Sequence, residues 1–279
     1  MLCAIHGTFG TPSEVLTVAE RPLPEPGPGE IRVKTGLAAI HNHDQLTVAS
    51  TYGYKPALPE IGGSEAMGTI DALGEGVNGL EIGQWVAATR RGTWAQYYIA
   101  GGRRRAASQR DSRRDGGPTH RHADERAVPA QFRACASRRL IVQNTATGAV
   151  AKVLAKVAQK RGVNVVNLVR RGEAGAAAAN LCAICALGAT VVSFGLMSGK
   201  RMEVPPAQLI FRDITIKGFW LAKLLPEAPK EKVAGLIGEL MGLIASGDVT
   251  LQVDGIFDLA DIAEAAGKGK REDKVLVRG

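Results

Sequence analysis

The sequence predicts an α/β protein in which a β-rich N-terminal domain precedes a doubly wound parallel sheet. The first 100 residues contain short strand-like segments separated by Pro and Gly, whereas from Leu140 onward apolar strands alternate with Ala-, Val- and Leu-rich helices. The composition agrees, because 45% of the 279 residues are apolar and only 5% are aromatic. This length suffices for one large domain or two of ordinary size.

Six segments of the N-terminal part are predicted to be strands, because they have strand-like composition and end at turn-forming residues. The Pro-rich stretch at 21–30 is predicted to be a surface loop. A small barrel-like β domain would accommodate this pattern. The predicted strands lie near residues 2–5, 15–20, 30–38, 66–73, 85–88 and 94–99.

Beyond Leu140 the pattern indicates βαβ units, which are typical of a parallel sheet. The strand LIVQN is followed by a Gly-containing turn and a helix, and VNVVNLV forms the next strand. The tail after residue 249 is predicted to be strand, helix and strand. The convincing strands of the parallel sheet are 140–143, 163–169, 189–194 and 214–218, and a long helix is predicted over 227–247.

The net charge of +8 belongs almost entirely to one segment. Residues 101–139 contain 11 Arg, no Lys and four acidic residues, for a local charge of +7. Low hydrophobicity with high charge predicts disorder there. Three interpretations stay open: a solvated basic loop, an arm that binds RNA or DNA, and a translated alternative reading frame. The third is favoured because well-patterned sequence stops and restarts at the two edges, so no nucleic-acid partner is expected for the fold.

The cysteines and the N-terminus predict a cytoplasmic protein. Four Cys without regular spacing form no disulfide framework, so a reducing compartment is expected. The segment MLCAIHGTFG lacks the basic and long apolar regions of a signal peptide. The uncharged run 176–197 is long enough to span a bilayer, but its Ala-rich composition and polar residues predict a helix and a strand, and no membrane partner.

The turn between Gln143 and Ala151 is the predicted phosphate-binding site. A strand meets a helix N-terminus there, and the free N–H groups of a first helical turn favour an anion. Small residues at Gly148, Ala149 and Ala151 would let a pyrophosphate approach the backbone. A tight turn without a ligand is the alternative, but the strands on both sides favour a dinucleotide.

The end of the second strand predicts which dinucleotide is bound. Folds that select NAD place an acidic residue there to hold the ribose 2′-hydroxyl. This chain has Arg170 and Arg171, which would pair with a 2′-phosphate instead. The prediction is therefore NADP, and two solvated loop arginines are the alternative.

Several stretches together resemble the medium-chain dehydrogenase/reductase superfamily, most closely its zinc-free branch of quinone oxidoreductases and NADPH-dependent trans-2-enoyl-CoA/ACP reductases. The resemblance implies a GroES-like catalytic domain at 1–100, a shortened NADP-binding Rossmann domain at 140–248, and a return of 249–279 to the catalytic domain, with the Arg-rich segment at 101–139. The matching stretches are HNHDQLTVASTYGYKPALPEIGGSEAMG (41–68), QNTATGAVAK (143–152), NLVRR (167–171), FGLMSG (194–199), LIFRDITIKGFWLAK (209–223) and DKVLVRG (273–279).

By the same resemblance, the chain would reduce an activated C=C bond, most naturally that of a trans-2-enoyl thioester, with NADPH. Tyr52 would be the catalytic group, with Tyr54 a weaker candidate, and the alternative role for Tyr52 is packing or a lid. Core packing is the alternative for Phe219 and Trp220. The implied NADP(H) contacts are Gly148, Ala149, Val150, Ala151, Arg170, Arg171, Phe194, Gly195, Leu196, Met197, Phe219, Trp220, Leu221 and Lys274.

Two other functions stay open: an NADPH:quinone oxidoreductase, and a damaged remnant that at most binds NADPH. Relatives are commonly dimers, so the resemblance implies a homodimer. No metal is expected, because His41 and Ser64 occupy positions where zinc-dependent relatives have a Cys and a His. The lone pair Cys182 and Cys185 has no second pair to complete a zinc site, so both are predicted to be buried thiols.

The chain departs from the family between Arg171 and Ala176, where about one βαβ passage is absent. A six-stranded doubly wound sheet has the strand order 3-2-1-4-5-6, and the missing pieces correspond to strands 3 and 4. Strand 4 lies beside strand 1 at the centre, so its loss would leave unpaired backbone groups, each costing about 1–3 kcal/mol if buried. Strand 5 could instead close up against strand 1, with repacked helices.

Overall fold

The computed structural model describes residues 1–102, 140–144, 148–168, 177–195, 201–250, 253–268 and 274–279. The chain divides into two compact units, one formed by residues Met1–Arg121 with Leu251–Gly279 and the other by His122–Thr250. Nearly all of the Arg-rich segment and the predicted site residues Arg170, Arg171, Leu196 and Met197 lie outside the described residues.

The first part of unit 1 follows the predicted strands closely, and it adds two short helices that the sequence patterns did not indicate. Pro12 begins the first of these helices, since a proline is compatible with the first helical turn. The elements are β1 (Leu2–His6), α1 (Pro12–Val15), β2 (Leu16–Glu20), β3 (Glu30–Ile40), α2 (Asn42–Val48), β4 (Glu60–Ile61), β5 (Glu65–Leu73), β6 (Trp85–Thr89) and β7 (Tyr97–Gly101).

The second unit alternates strands and helices, and the chain then returns to unit 1. The elements of unit 2 are β8 (Leu140–Asn144), α3 (Ala149–Lys160), β9 (Asn164–Leu168), α4 (Ala177–Ile184), β10 (Thr190–Ser193), α5 (Pro206–Arg212), β11 (Thr215–Gly218), α6 (Leu221–Glu227) and α7 (Lys230–Ala245). The returning elements are β12 (Val253–Asp258), a short 3₁₀ turn at Leu259–Asp261, α8 (Ile262–Lys268) and β13 (Lys274–Arg278).

Unit 1 is built on a six-stranded sheet with the order β12-β13-β3-β5-β6, in which β7 also pairs with β3. A smaller sheet has the order β2-β1-β4. All of these pairs are antiparallel except β12 with β13, which run parallel. Residues at alternate positions of β3 and β13, such as Val33 and Val277, are buried in one hydrophobic core.

The tight contact between β3 and β5 depends on a glycine. A Cβ added at Gly68 would lie 1.9 Å from the backbone oxygen of Lys34, so only glycine fits at this position. The core beneath is centred on Trp94, whose side chain is fully buried and whose Nε1 donates a hydrogen bond of 3.0 Å to the carbonyl of Ala39. These contacts hold the end of β3 rigidly, directly before α2 begins.

Unit 2 contains the four predicted strands, but they form two separate parallel pairs among the described residues. One pair is β8 with β9, and the other is β10 with β11. The expectation that strand 5 could close up against strand 1 is therefore wrong for the described residues, because β10 does not pair with β8. The split falls where the sequence lacks the central strand of a doubly wound sheet.

The helices of unit 2 pack against its strand pairs. Helix α3 packs on β9, and α4 contacts both β8 and β10, so this helix bridges the two pairs. Cys182 of α4 is fully buried against Val191 and Ile214, and Cys185 is half-buried. Arg161, after α3, forms an ion pair of 2.5 Å with Glu239 of α7. Among the helices of the described ranges, none has an apolar stretch of the length needed to span a bilayer.

The divided sheet makes a prediction for backbone hydrogen exchange. Among the residues that the structure describes, each strand of the two-stranded pairs has a ladder partner on one edge, whereas β3 is paired on both edges. We expect the amides of β8 and β10 to exchange at least about 10 times faster than those of β3 and β5, because local opening costs less free energy there. Exchange followed by peptide mass spectrometry measures this. Equal protection at residues 140–144, 190–193 and 31–40 would mean that the two pairs are joined into one sheet.

Candidate active site

The tyrosine expected to be catalytic is positioned by the short helix α2. The backbone N–H of His41 donates a hydrogen bond of 3.0 Å to the Asp44 carboxylate, which fixes the start of the helix. At the other end, the N–H groups of Thr51 and Tyr52 both donate to the carbonyl of Leu46, at 2.8 and 3.1 Å. The backbone of Tyr52 is therefore tied to the last turn of α2.

The ring of Tyr52 lies beside a histidine. The ring centroids of Tyr52 and His43 are 5.8 Å apart, with the planes inclined by 35°. The ring of His43 stacks on that of His41, at a centroid distance of 5.0 Å and an angle of 11°. On its other side, His43 Nε2 shares a hydrogen bond of 2.7 Å with the hydroxyl oxygen of Ser64. The half-buried Tyr52 is thus next to an imidazole that is held on two sides.

A buried ion pair lies beneath this stack. His41 Nε2 donates a hydrogen bond of 3.0 Å to the carboxylate of Glu65, the first residue of β5. The two side chains are only 2% and 5% exposed. A second acid, Asp44, places a carboxylate oxygen 3.6 Å from His43 Nε2. Among the described residues, the structure groups no three His, Cys, Asp or Glu side chains in a way that could hold a metal ion.

Tyr54, the weaker catalytic candidate, has an arginine guanidinium over its ring. The guanidinium carbon of Arg91 lies 3.2 Å from the centroid of the Tyr54 ring. Arg91 also acts on Glu60, whose carboxylate oxygen Oε2 is buried without a hydrogen-bond partner in the described part of the chain. Burial raises the pKa of Glu60, and the positive charge of Arg91 lowers it by a smaller amount. Glu60, the first residue of β4, therefore has its carboxylate in an unfavourable environment.

Part of the predicted phosphate-binding turn lies among the described residues, at the N-terminus of α3, whereas residues 145–147 lie outside them. Gly148 is the N-cap residue of this helix and has an extended backbone, so it places no side chain over the first N–H groups, which favour an anion. The first turn contains no acidic residue, and Gly148, Ala149 and Val150 are all partly exposed. The carbonyl of Ala151 accepts a hydrogen bond of 3.0 Å from the buried Gln143, which joins the turn to β8.

The strand pairing places the end of β9 beside this turn. In the parallel ladder, Asn144 at the end of β8 is the partner of Leu168 at the end of β9. Residues Arg170 and Arg171 follow two and three positions later, outside the described residues. Their predicted role toward a 2′-phosphate therefore stays a prediction, but their strand ends at the edge where parallel sheets bind nucleotides.

The other strand pair brings two of the predicted nicotinamide-side segments together. Phe194 and Gly195 follow β10, and the N–H of Phe219 donates a hydrogen bond of 2.8 Å to the carbonyl of Ser193. Phe194 is 51% exposed and Trp220 is 44% exposed, so neither is a core residue within this chain. Leu221 begins α6, and Lys274 begins β13 in unit 1 with partial exposure.

Comparison with known proteins shows similarity along the whole chain. Residues 27–132 match the alcohol dehydrogenase GroES-like domain, a match that extends into the Arg-rich segment. The mitochondrial enoyl-[acyl-carrier-protein] reductase of Bos taurus is 24% identical, over 88% of this chain and 79% of the relative. That alignment has 300 positions, more than the 279 residues of the chain, so the relative has residues where this chain has none.

Solved structures match the fold closely. The structure of Etr1p in complex with NADP and crotonyl-CoA superposes with a TM-score of 0.82 at 16% identity, covering 100% of this chain and 99% of the other. A protein described as an NADPH:quinone reductase from Bacillus thuringiensis gives a TM-score of 0.80 at 17% identity, covering 100% and 98%. The chain therefore shares the fold of these reductases, and residues 27–132 match an alcohol dehydrogenase GroES-like domain.

The chain is similar to enoyl reductases and to a protein described as a quinone reductase, which confirms the resemblance inferred from the sequence motifs. The sequence patterns did not identify His43 and Glu65 as members of the site. The spacing HNHD followed by GGSE could have indicated them, because residues at a helix start and at a strand start can meet at one end of a sheet.

The buried acid Glu60 makes a prediction for stability against pH. Because burial raises its pKa in the folded state, the folded protein binds this proton more tightly, so stability falls as pH rises through and above the ordinary Glu value of about 4.3. We expect Glu60→Gln to raise the melting temperature at pH 7 and to change it little at pH 4. Thermal unfolding of both proteins at the two pH values tests this, with the exposed Glu20→Gln as the matched control. A stabilisation of equal size at both pH values would contradict it.

Proposed function

We propose that the chain is an NADPH-dependent reductase of an activated C=C bond, with a trans-2-enoyl thioester as the substrate. The observation that carries this proposal is the uncapped N-terminus of α3 at the carboxyl end of the β8–β9 pair, a built site for a dinucleotide phosphate. The similarity to Etr1p, which was solved with NADP and crotonyl-CoA, indicates the cofactor and the substrate class.

The residues present fit NADP(H). The N–H groups of Gly148, Ala149, Val150 and Ala151 would hold the pyrophosphate, because the N-cap residue is a glycine and makes no side-chain cap. When bound, the cofactor supplies a hydride. Arg170 and Arg171 would pair with the 2′-phosphate and favour NADPH over NADH. The remaining proposed contacts are Phe194, Gly195, Leu196 and Met197 near the nicotinamide, Phe219, Trp220 and Leu221 beside the nicotinamide and acyl chain, and Lys274.

Tyr52 is proposed as the catalytic residue. When a hydride adds to the β-carbon of an enoyl thioester, negative charge develops on the carbonyl oxygen, and the α-carbon then needs a proton. A phenol is neutral at pH 7, since tyrosine titrates near 10, and it can donate its O–H to the developing enolate. The anchoring of Tyr52 to the end of α2 supports this role, because a catalytic donor must be held in place.

Two alternatives have an observation in their favour. A quinone as the acceptor is favoured by the similarity to the quinone reductase from Bacillus thuringiensis. A remnant that at most binds NADPH is favoured by the divided sheet of unit 2, because a rigid cofactor site normally rests on one continuous sheet. The enoyl reductase is preferred because the curated relatives that cover most of the chain are enoyl-[acyl-carrier-protein] reductases.

The proposal also covers the compartment, the oligomeric state, the partners and the domains of the enzyme. We infer a cytoplasmic protein, because Cys3, Cys182 and Cys185 are free thiols. A homodimer is proposed, supported by the neighbouring structure of an Etr1p/Etr2p heterodimer. The small-molecule substrate is the proposed partner, with no nucleic acid and no membrane. The domains are proposed as 1–100 for catalysis, 140–248 for NADP, and 249–279 returning to the first.

A steady-state assay tests the proposed function. We expect oxidation of NADPH with crotonyl or hexenoyl thioesters to be at least about tenfold more efficient in kcat/KM than with a small quinone. Tyr52→Phe should lower kcat by about 100-fold, because a positioned general acid or donor contributes about 10² to 10⁴. Tyr54→Phe is the matched control, and it should retain most of the activity. Turnover of quinones alone would favour the first alternative, and binding without turnover of either would favour the remnant.

A further inference from the structure

The imidazole of His43 lies beside the proposed catalytic residue Tyr52, and the proposed reduction gives it no role. It lies between the ring of Tyr52 and the stacked ring of His41, and it shares a hydrogen bond with Ser64. Its side chain is 24% exposed, so protons from solvent can reach it. A free histidine titrates near 6.5, and it is therefore the side chain best suited to carry a proton at neutral pH.

We propose that His43 is a positioning residue that returns a proton to Tyr52 during each turnover. This inference rests on the proposed function. After the phenol proton has passed to the α-carbon, Tyr52 is left as a phenolate. The N–H bond of the His43 imidazolium then breaks, an O–H bond forms on Tyr52 Oη, and the neutral imidazole regains its proton from solvent. The transfer is favourable, since tyrosine titrates near 10 and histidine near 6.5.

The groups that face His43 are suited to this role. On its own helix, the Asp44 carboxylate lies 3.6 Å from Nε2 and favours the imidazolium, and the His41 ring stacks against it. The ring of His41 is hydrogen-bonded in turn to the carboxylate of Glu65. From the start of β5, Ser64 offers a hydroxyl that can accept from the imidazolium or donate to the neutral ring. Tyr52 faces it from the loop after α2.

Kinetics against pH provide the first test. In the wild type, kcat with a crotonyl thioester should fall as pH rises through the titration of His43, because only the imidazolium can reprotonate Tyr52. His43→Gln should lower kcat at pH 6 by about 100-fold, leave KM nearly unchanged, and remove this pH-dependent fall. Added imidazole should restore part of kcat in His43→Ala. Lys55→Gln, at an exposed position in the loop after α2, should keep the wild-type profile.

A substrate-free measurement separates this inference from the proposed function. In ¹⁵N-histidine-labelled protein, the imidazole of His43 is titrated by NMR in the wild type, in Tyr52→Phe and in the matched control Tyr54→Phe, whose ring lies against Arg91. We expect the midpoint of His43 to move in Tyr52→Phe and to stay in Tyr54→Phe. If no enoyl thioester is turned over, the proposed function fails, and this titration alone decides on His43. An unmoved His43 midpoint, or a wild-type pH profile in His43→Gln, would overturn the inference.

Discussion

Unit 2, in which the cofactor site is proposed, depends on the hydrogen bonding between parallel strands. A parallel sheet is stable when each interior strand has a partner on both edges, and the described strands of unit 2 have one partner each. Among the described residues, the carboxyl end of β8 is in register with that of β9, and Phe194 follows β10. The chemistry expected of a nucleotide fold lies at those ends, so both pairs can contribute to a cofactor site although the described strands do not form one sheet.

Unit 1 contains buried polar side chains, among them His41 and Glu65, and such side chains need hydrogen-bond partners. The pair of His41 and Glu65 is almost fully enclosed, and burying polar groups costs free energy unless each is well partnered. The hydrogen bond between them meets that need, and it also joins the start of α2 to the start of β5. Such a pair contributes little net stability but defines one geometry, and that geometry places His43 against Ser64 and Tyr52.

The architecture was largely predictable because it follows from periodicity. The strands of both units and the long helix α7 agree with their predicted positions within a few residues, and the positive φ of Gly188 fits its predicted place between helix and strand. The absence of a central strand was also visible in the sequence. The effect on strand pairing was not visible in the sequence. Whether β10 pairs with β8 depends on how α4 packs against both strands, and no local pattern encodes that packing.

The site was predictable only in part. Tyr52 and the turn at Gly148 were identified from motifs, but the cluster around His43 arises from side chains 21 residues apart that meet across α2 and β5. Sequence spacing alone cannot show such a contact, because it depends on how the helix is set against the sheet. The short helices α1 and α2 were missed for a related reason, since helices of one or two turns are stabilised by tertiary contacts and have weak periodicity.

The most direct test of the account is a fluorescence titration of the purified protein with NADPH, with NADH and an Arg170→Ala/Arg171→Ala variant as controls. We expect saturable binding of NADPH. NADH, and NADPH with the variant, should bind about 10- to 100-fold more weakly, since a charge-assisted hydrogen bond contributes about 1.5–3 kcal/mol. Absence of NADPH binding would contradict it, and would mean that the divided sheet no longer supports a cofactor site. Equal binding of both dinucleotides would contradict the assigned role of the two arginines.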